Sequence, residues 1–417
     1  MTAPTQRNPG IDTLRGVSIL LVVVHHLALR IPLRDTALSD WLPLRLLRAL
    51  SYNGYEAVFV FFVISGFLIT LHAVQRWSSL ARIDLRAFYA RRAARILPAL
   101  LLLLAVLALM HGLGVPNFVI DKPGQSLGGA LWSALTLQLN WYEGRTGWLP
   151  GGWDVLWSLS IEEAFYLAFP LVCLLLRRRA LLVPALVLLA LSLPLTRAAI
   201  ADNEIWQEKA YLPGFSAIAV GVLAALAVTR WPVPASTARG LRVLGVVALA
   251  AVLLCGGELW RSLGNGAMLV LVGGAGALLV GLHAMPARAP LRALAWLRAW
   301  GRLSYELYLT HMFVVFALVG LYRAGGGQVR LGAWWYLALL PLCWLLAAGI
   351  RAAVDAAGRA LAQAALAACA TRARRRCGRG GLSALRDMAQ RGMPASGHGD
   401  LFPAAGHAPL RPHRRAR

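Results

Sequence analysis

Arg15 and His26 stand eleven residues apart in one apolar stretch, Arg15-Gly-Val-Ser-Ile-Leu-Leu-Val-Val-Val-His25-His26. Ionisable groups at membrane depth are rare, and they usually face a cavity, a pathway or a reaction centre. A helix rises about 1.5 Å per residue, so the two lie roughly 16 Å apart along its axis. Eleven residues is also close to three turns, so they share a face, while His25 points about 100° away. An imidazole held there can serve as general base or as nucleophile. It can equally be an interfacial histidine that packs or snorkels, and the pair alone does not decide between these.

Four further segments carry polar groups into apolar surroundings. Trp157-Ser-Leu-Ser160-Ile-Glu162-Glu163 opens an apolar run with two adjacent carboxylates, which are costly there without partners. If the run enters from the outer side, Glu162 lies at a depth comparable with His26. It would then orient and charge-stabilise the imidazole, with Ser160 and Glu163 as candidate lining groups. One of the glutamates could instead simply pair with an arginine. Arg91, Arg92 and Arg95 precede Ile96-Leu97-Pro98, and Arg91 and Arg95 share a helix face. With Arg15 they could form an anion-binding collar, because the planar guanidinium donates two parallel hydrogen bonds to a phosphate. Read alone, this run is ordinary basic anchoring. Ser65-Gly66 sits mid-way along Phe61-Phe62-Val63-Ile64-Ser65-Gly66-Phe67, where small residues permit close helix approach or a ligand-lined groove. Gly301-Arg302-Leu303-Ser304-Tyr305 leads to His311, which faces either packing or the same cavity.

The elements that position these groups follow from composition. The 417 residues are 59% hydrophobic and 14% charged, with a mean hydropathy of +0.62. A soluble domain averages about 25% charged residues. Ten apolar spans are expected, near residues 12–28, 55–74, 93–113, 156–176, 180–199, 211–229, 241–256, 267–284, 302–322 and 333–353. Residues 127–140 are apolar but short, and suit a re-entrant or interfacial segment. The fold class is therefore an all-α polytopic membrane protein, with residues 1–355 as the transmembrane domain. Residues 356–417 form an Arg/Ala/Gly-rich cytoplasmic tail, read as largely disordered and touching anionic lipid. No cleavable signal peptide is expected, because the first run ends in two histidines rather than in small residues.

Arginine placement sets the orientation. With the N-terminus in the cytoplasm, Arg76–Arg95, Arg177–Arg179, Arg230–Arg242 and Arg288–Arg302 fall inside. Asp35, Asp40, Asp121, Glu143, Asp154, Asp202, Glu204, Glu208 and Glu258 fall outside, in keeping with the positive-inside asymmetry. The arginines behind the net charge of +24 cluster at the ends of the apolar runs and in the tail, so no nucleic-acid partner is expected. The five cysteines are scattered and no Cys/His cluster has zinc spacing, so neither disulfides nor a metal are expected.

Taken together and in this order, five pieces resemble the membrane acyltransferase family 3, the integral membrane O-acyltransferases that modify cell-surface glycans. They are Ile11-Asp-Thr-Leu-Arg15-Gly16 with its spacing to His26, Phe61–Phe67, Arg91–Pro98, Trp157–Glu163 with Phe165-Tyr166, and Gly301–Tyr305 with His311. The resemblance covers about residues 9–353. It implies an acyl-CoA donor, acetyl-CoA in the simplest case, entering from the cytoplasm of a bacterial inner membrane with both termini inside. It implies transfer to a hydroxyl of a glycan or lipid-linked saccharide on the outer side. It casts His26 as the essential histidine and Arg15, Arg91, Arg92 and Arg95 as donor-binding groups. The chain departs from the family pattern at Phe59, Val155, Ala164 and Pro213–Ile218, which bears on acceptor choice. The hydrolase-like domain that some members fuse at the C-terminus has no counterpart in the sequence. The expectation is that the protein acylates its acceptor directly or that a separate periplasmic partner completes transfer. The competing class is a proton-coupled transporter of a polar or acylated solute, since such proteins also use intramembrane His and Glu.

Overall fold

The computed structural model describes residues 7–285 and 291–356. The regular elements among the described residues are all helical. In chain order they are α1 (Pro9–Ala28), α2 (Leu44–Tyr52), α3 (Gly54–Trp77), α4 (Leu85–Gly112), α5 (Leu127–Leu135), α6 (Leu139–Thr146), α7 (Leu156–Leu175), α8 (Arg179–Leu191), α9 (Leu193–Ala198), α10 (Glu204–Lys209), α11 (Tyr211–Arg230), α12 (Ala235–Leu263), α13 (Ala267–Ala284), α14 (Ala295–Arg302), α15 (Ser304–Ala324) and α16 (Ala333–Ala356). Helices satisfy their own backbone groups, which hydrocarbon demands. The starts are capped locally. Asn8 accepts from the backbone N–H of Gly10 and Ile11 with Pro9 at the first helical position, and Asp84 accepts from Ala87.

Eight stretches among the described residues are long and apolar enough to cross a membrane, against the ten expected. The difference lies in two places. Residues 235–284 form one continuous apolar stretch. It is built from α12 and α13, which fold back on each other so that Gly245 meets Leu278 and Gly281 meets Arg242. The expected span 180–199 is broken into α8 and α9, with Pro194 at the start of α9, and α8 alone has 13 residues. Residues 127–140 divide into α5 and α6 around Leu137, whose φ is +61°. Residues 357–417, which hold most of the expected tail, lie outside the described residues.

Two helix crossings set the frame of the site, and both need glycine. A Cβ on Gly16 would lie 2.0 Å from the Leu297 carbonyl oxygen, and one on Gly301 would lie 1.8 Å from that of Asp12, so α1 and α14 meet backbone to backbone. Gly66 and Gly221 are in the same relation to Ile218 and Val63, each at 2.0 Å, and lock α3 to α11. Exposed leucines and valines on α4, α8, α12 and α16, such as Leu101, Leu188, Val246 and Leu337, form the outer surface of a multi-pass membrane protein. Cys173 and Cys343 are buried and unpaired, and Cys255 marks a kink in α12.

Candidate active site

Three helices turn polar stripes toward one another. On α1 the stripe runs from Arg15 to His26. On the segment entering α7 it runs through Asp154, Ser158, Glu162 and Tyr166, at four-residue spacing. On α15 it runs through Ser304, Tyr305, Tyr308 and His311. Residues four apart share a helix face, so the stripes on α7 and α15 are continuous, whereas on α1 the apolar Ile19 and Val22 lie between Arg15 and His26. The stripes join at matching heights. Arg15 donates to Ser304 Oγ from Nε at 3.1 Å and from Nη2 at 2.7 Å. Ser158 donates to the Tyr308 hydroxyl at 2.5 Å. The His26 and His311 ring centroids are 5.0 Å apart. α7 is antiparallel to the other two, because its N-terminal end meets the C-terminal ends of their stripes.

The lower level is a cluster of arginines around a carboxylate. Glu162 accepts a hydrogen bond from Tyr166 at 2.5 Å and another from Ser65. The Arg92 guanidinium lies 4.1 Å from the Tyr166 ring centre, a cation–π stacking distance. The charges of Arg92, Arg95 and Arg15 act on Glu162, and those of Arg92 and Arg95 also act on Glu163 and on His72 of α3. Tyr305 faces the same group and donates to the Ile96 carbonyl at 3.2 Å. Arg92 is half-buried and Arg95 exposed, so the cluster opens at this end.

The upper level holds the histidines. His311 donates from Nδ1 to the carbonyls of Tyr308 at 2.8 Å and Leu307 at 3.1 Å. Its Nε2 and the Nδ1 of His26 are both sealed from solvent, without a hydrogen-bond partner among the described residues. The charges of Asp154 and Arg30 act on His26. Asp154 is in turn held by Lys209 Nζ at 2.7 Å, which also donates to both oxygens of Glu143 at 2.9 and 3.0 Å and lies 4.6 Å from the Trp148 ring centre. Lys209 and Glu143 are each 1% exposed. Burial pushes the Glu143 carboxyl above its ordinary range, against the opposing pull of Lys209.

The structure thus brings together Arg15, Ser65, Arg92, Arg95, Glu162, Glu163 and Tyr305 at one level and His26 with His311 at the other. Three expected groups sit differently from the sequence expectation. Glu162 is not at the depth of His26 and makes no hydrogen bond to it. The helix itself starts where expected, at Leu156, and Glu162 lies within reach of the long arginine side chains. Arg91 is exposed and makes no hydrogen bond or ion pair among the described residues. Ser160 is buried and spends its hydroxyl on the Leu156 carbonyl at 3.1 Å, inside its own helix. His25 packs structurally: Nδ1 donates to Ser51 O at 2.9 Å, and its ring fills the space left by Gly54. Sequence reasoning missed Tyr166, Ser158, Tyr308 and Asp154. Their four-residue spacing from Glu162, and the position of Tyr308 three before His311, were the available signals.

The described residues form a polytopic helical protein with polar groups gathered at two levels inside it. The family model described as an acyltransferase domain matches residues 8–352, and the chain belongs to the membrane acyltransferase family 3. Among curated proteins it is similar to the O-acetyltransferase OatA of Staphylococcus aureus strains NCTC 8325 / PS 47 and COL, with 30% identity over 175 residues in each case. That alignment takes in 39% of this chain and 24% of each relative, so the chain matches about a quarter of their length. No solved structure matches the chain.

Proposed function

We propose that the protein transfers an acyl group, acetyl in the simplest case, from cytoplasmic acyl-CoA to a hydroxyl of an exported glycan or lipid-linked saccharide. The observation that carries this reading is the pairing of an arginine level, with Arg15 on α1 and Arg92 and Arg95 on α4, with a separate histidine level on α1 and α15. Arg15, Arg92 and Arg95 suit the phosphates of CoA, because guanidinium forks bind phosphate oxygens in pairs. The arginine level then faces the cytoplasm of a bacterial inner membrane, with both termini on that side.

In this reading His26 acts as general base. The acceptor oxygen attacks the thioester carbonyl carbon while Nε2 of His26 takes the hydroxyl proton. The C–S bond then breaks, and the proton passes to the leaving CoA thiolate. The products are the ester and free CoA, and His26 ends neutral as it began. Glu162 holds the hydroxyls of Ser65 and Tyr166 within the arginine level, which suits a role in seating the donor. A covalent acyl-histidine would differ in leaving an isolable intermediate.

The test is hydrolysis and transfer from radiolabelled acetyl-CoA by the purified, detergent-solubilised protein, with His26→Ala alongside. Turnover by the wild type and none by the variant is the expected result. A fully active His26→Ala protein overturns the assignment of the base, and a wild type that neither binds nor consumes acetyl-CoA overturns the donor and favours transport.

A further inference from the structure

We infer that His311 is the positioning residue for His26: it fixes the tautomer of His26 so that Nε2 is the free base. The inference rests on the acyl-transfer reading above and deepens it.

The argument starts from hydrogen inventory. A backbone carbonyl only accepts, so His311 Nδ1, which contacts the carbonyls of Leu307 and Tyr308, must carry the ring proton. The neutral ring then presents a lone pair at Nε2. That nitrogen is buried and has no partner among the described residues, a costly state for a polar atom. The one other sealed, unpartnered ring nitrogen is Nδ1 of His26, on the neighbouring ring 5.0 Å away between centroids. Two imidazoles joined by an N–H···N bond of about 2.9 Å have centroids roughly 5 Å apart. The two atoms therefore satisfy each other after a small ring rotation, with His26 donating from Nδ1 to His311 Nε2. That leaves the His26 Nε2 lone pair for the acceptor hydroxyl. The order of groups is carbonyl, His311, His26 and hydroxyl, with a neutral histidine where a catalytic triad places its third group.

The surroundings support this arrangement. Tyr308 is anchored by Ser158, so the carbonyl that orients His311 belongs to a residue pinned to α7. The charged and titratable groups facing the pair are His25 and Arg30 from the α1 side, Asp154 from the entry to α7, and Tyr308 from α15. When His26 takes the proton, its positive charge falls beside Asp154, whose own charge is otherwise shared with Lys209. No net transfer to His311 is needed, and the proton leaves on the thiolate.

The experiment uses the full chain in detergent micelles. Ring nitrogens of the nine histidines are labelled with 15N, and the His26 signals are assigned by their loss in His26→Ala. The expected wild-type spectrum shows the Nδ1–H tautomer at His26, and an Nε2–H tautomer overturns the inference without any variant having to fold. In parallel, His311→Leu is expected to lower kcat about 10²–10⁴-fold while leaving KM for acetyl-CoA within about twofold. His311→Gln, whose amide oxygen can accept near the Nε2 position, is expected to restore about tenfold of that loss. Wild-type kcat in His311→Leu overturns the inference while the base stands, provided His26→Ala is inactive. An active His26→Ala protein instead fails the assignment of His26 as base, and a wild type that neither binds nor consumes acetyl-CoA fails the acyl-transfer reading itself. If the Leu variant is not recovered folded, the wild-type spectrum and the Gln variant decide.

Discussion

Lys209→Met is the perturbation whose cost the structure sets most directly. The ammonium is 1% exposed and makes three charge-assisted hydrogen bonds, two to Glu143 and one to Asp154, at 2.7 to 3.0 Å. Methionine fills similar space but leaves two carboxylates facing each other. Of these, Glu143 retains a bond from the Leu149 N–H at 3.0 Å. Removing one member of a buried ion pair costs about 3–5 kcal/mol, mostly as the penalty of the charge left behind. Glu143 limits that penalty by taking up a proton. Its carboxyl is already raised by burial, and Lys209 is the cation that holds it down. Without Lys209 the folded-state value moves further above the unfolded one. Such a group contributes its stability below the unfolded carboxylate range and loses it as pH rises through the folded value. The deficit of Lys209→Met is therefore expected to be largest in alkaline buffer and to shrink on acidification. Lys209→Met/Glu143→Gln is expected to recover about 2 kcal/mol, because a neutral amide keeps the Leu149 contact. The assay is SDS titration from mixed micelles, followed by tryptophan fluorescence at several pH values. A single variant within about 1 kcal/mol of wild type, or a deficit independent of pH, refutes the reasoning.

Gly301→Ala places a methyl 1.8 Å from the Asp12 carbonyl oxygen; it is expected to separate α1 from α14 and to lower stability by about 3 kcal/mol in the same titration, whereas Gly320→Ala, which meets nothing within 4 Å, should be silent. Arg15→Lys removes the fork that binds Ser304 through two nitrogens, and KM for acetyl-CoA is expected to rise about tenfold with kcat less affected. Arg95→Ala should weaken binding of acetyl-CoA about tenfold but leave acetyl-pantetheine, which lacks the nucleotide phosphates, unchanged in an isothermal titration. Tyr166→Phe keeps the ring under Arg92 and removes the bond to Glu162, so it is expected to lower kcat more than it raises KM in steady-state assays.

The helical class and the polar groups were legible in the sequence because each is a local property. An apolar run near twenty residues long announces a span, and an Arg, His or Glu inside it announces itself by its cost. Depth was less legible. The expected helix 156–176 agrees with α7, Leu156–Leu175, yet Glu162 meets the arginines because their long side chains reach inward from the basic end. Partners across helices were not legible at all. Nothing local tells that the lone imidazole of His311 meets His26, or that Ser304 receives Arg15, since these pairings arise only when α1 and α15 pack. Lys209 carried a signal in its residue type. It is one of two lysines in a chain of 42 basic residues, and it fills a position where an ammonium with three bonds replaces a planar fork. Lys122, the other, donates to the Trp148 carbonyl at 2.7 Å, beside the ring that Lys209 faces.

The three stripes also constrain how the two levels communicate. Arg15 and His26 are roughly 16 Å apart on α1, and Asp154 and Tyr166 roughly 18 Å apart along α7. Because α7 runs opposite to α1 and α15, its Glu162 and Tyr166 meet the arginines while its Asp154 meets the histidines. A helix parallel to the other two would have reversed that match and set carboxylate Asp154 among the arginines. The polar residues between the levels are the hydroxyls of Ser158 and Tyr308 rather than charges. In the proposed reading a neutral stretch between the levels suits a flexible arm that carries its charge at one end only. In that reading the donor's charged end is held at the arginine level and the proton is taken at the histidine level, so a substrate would bridge both to react.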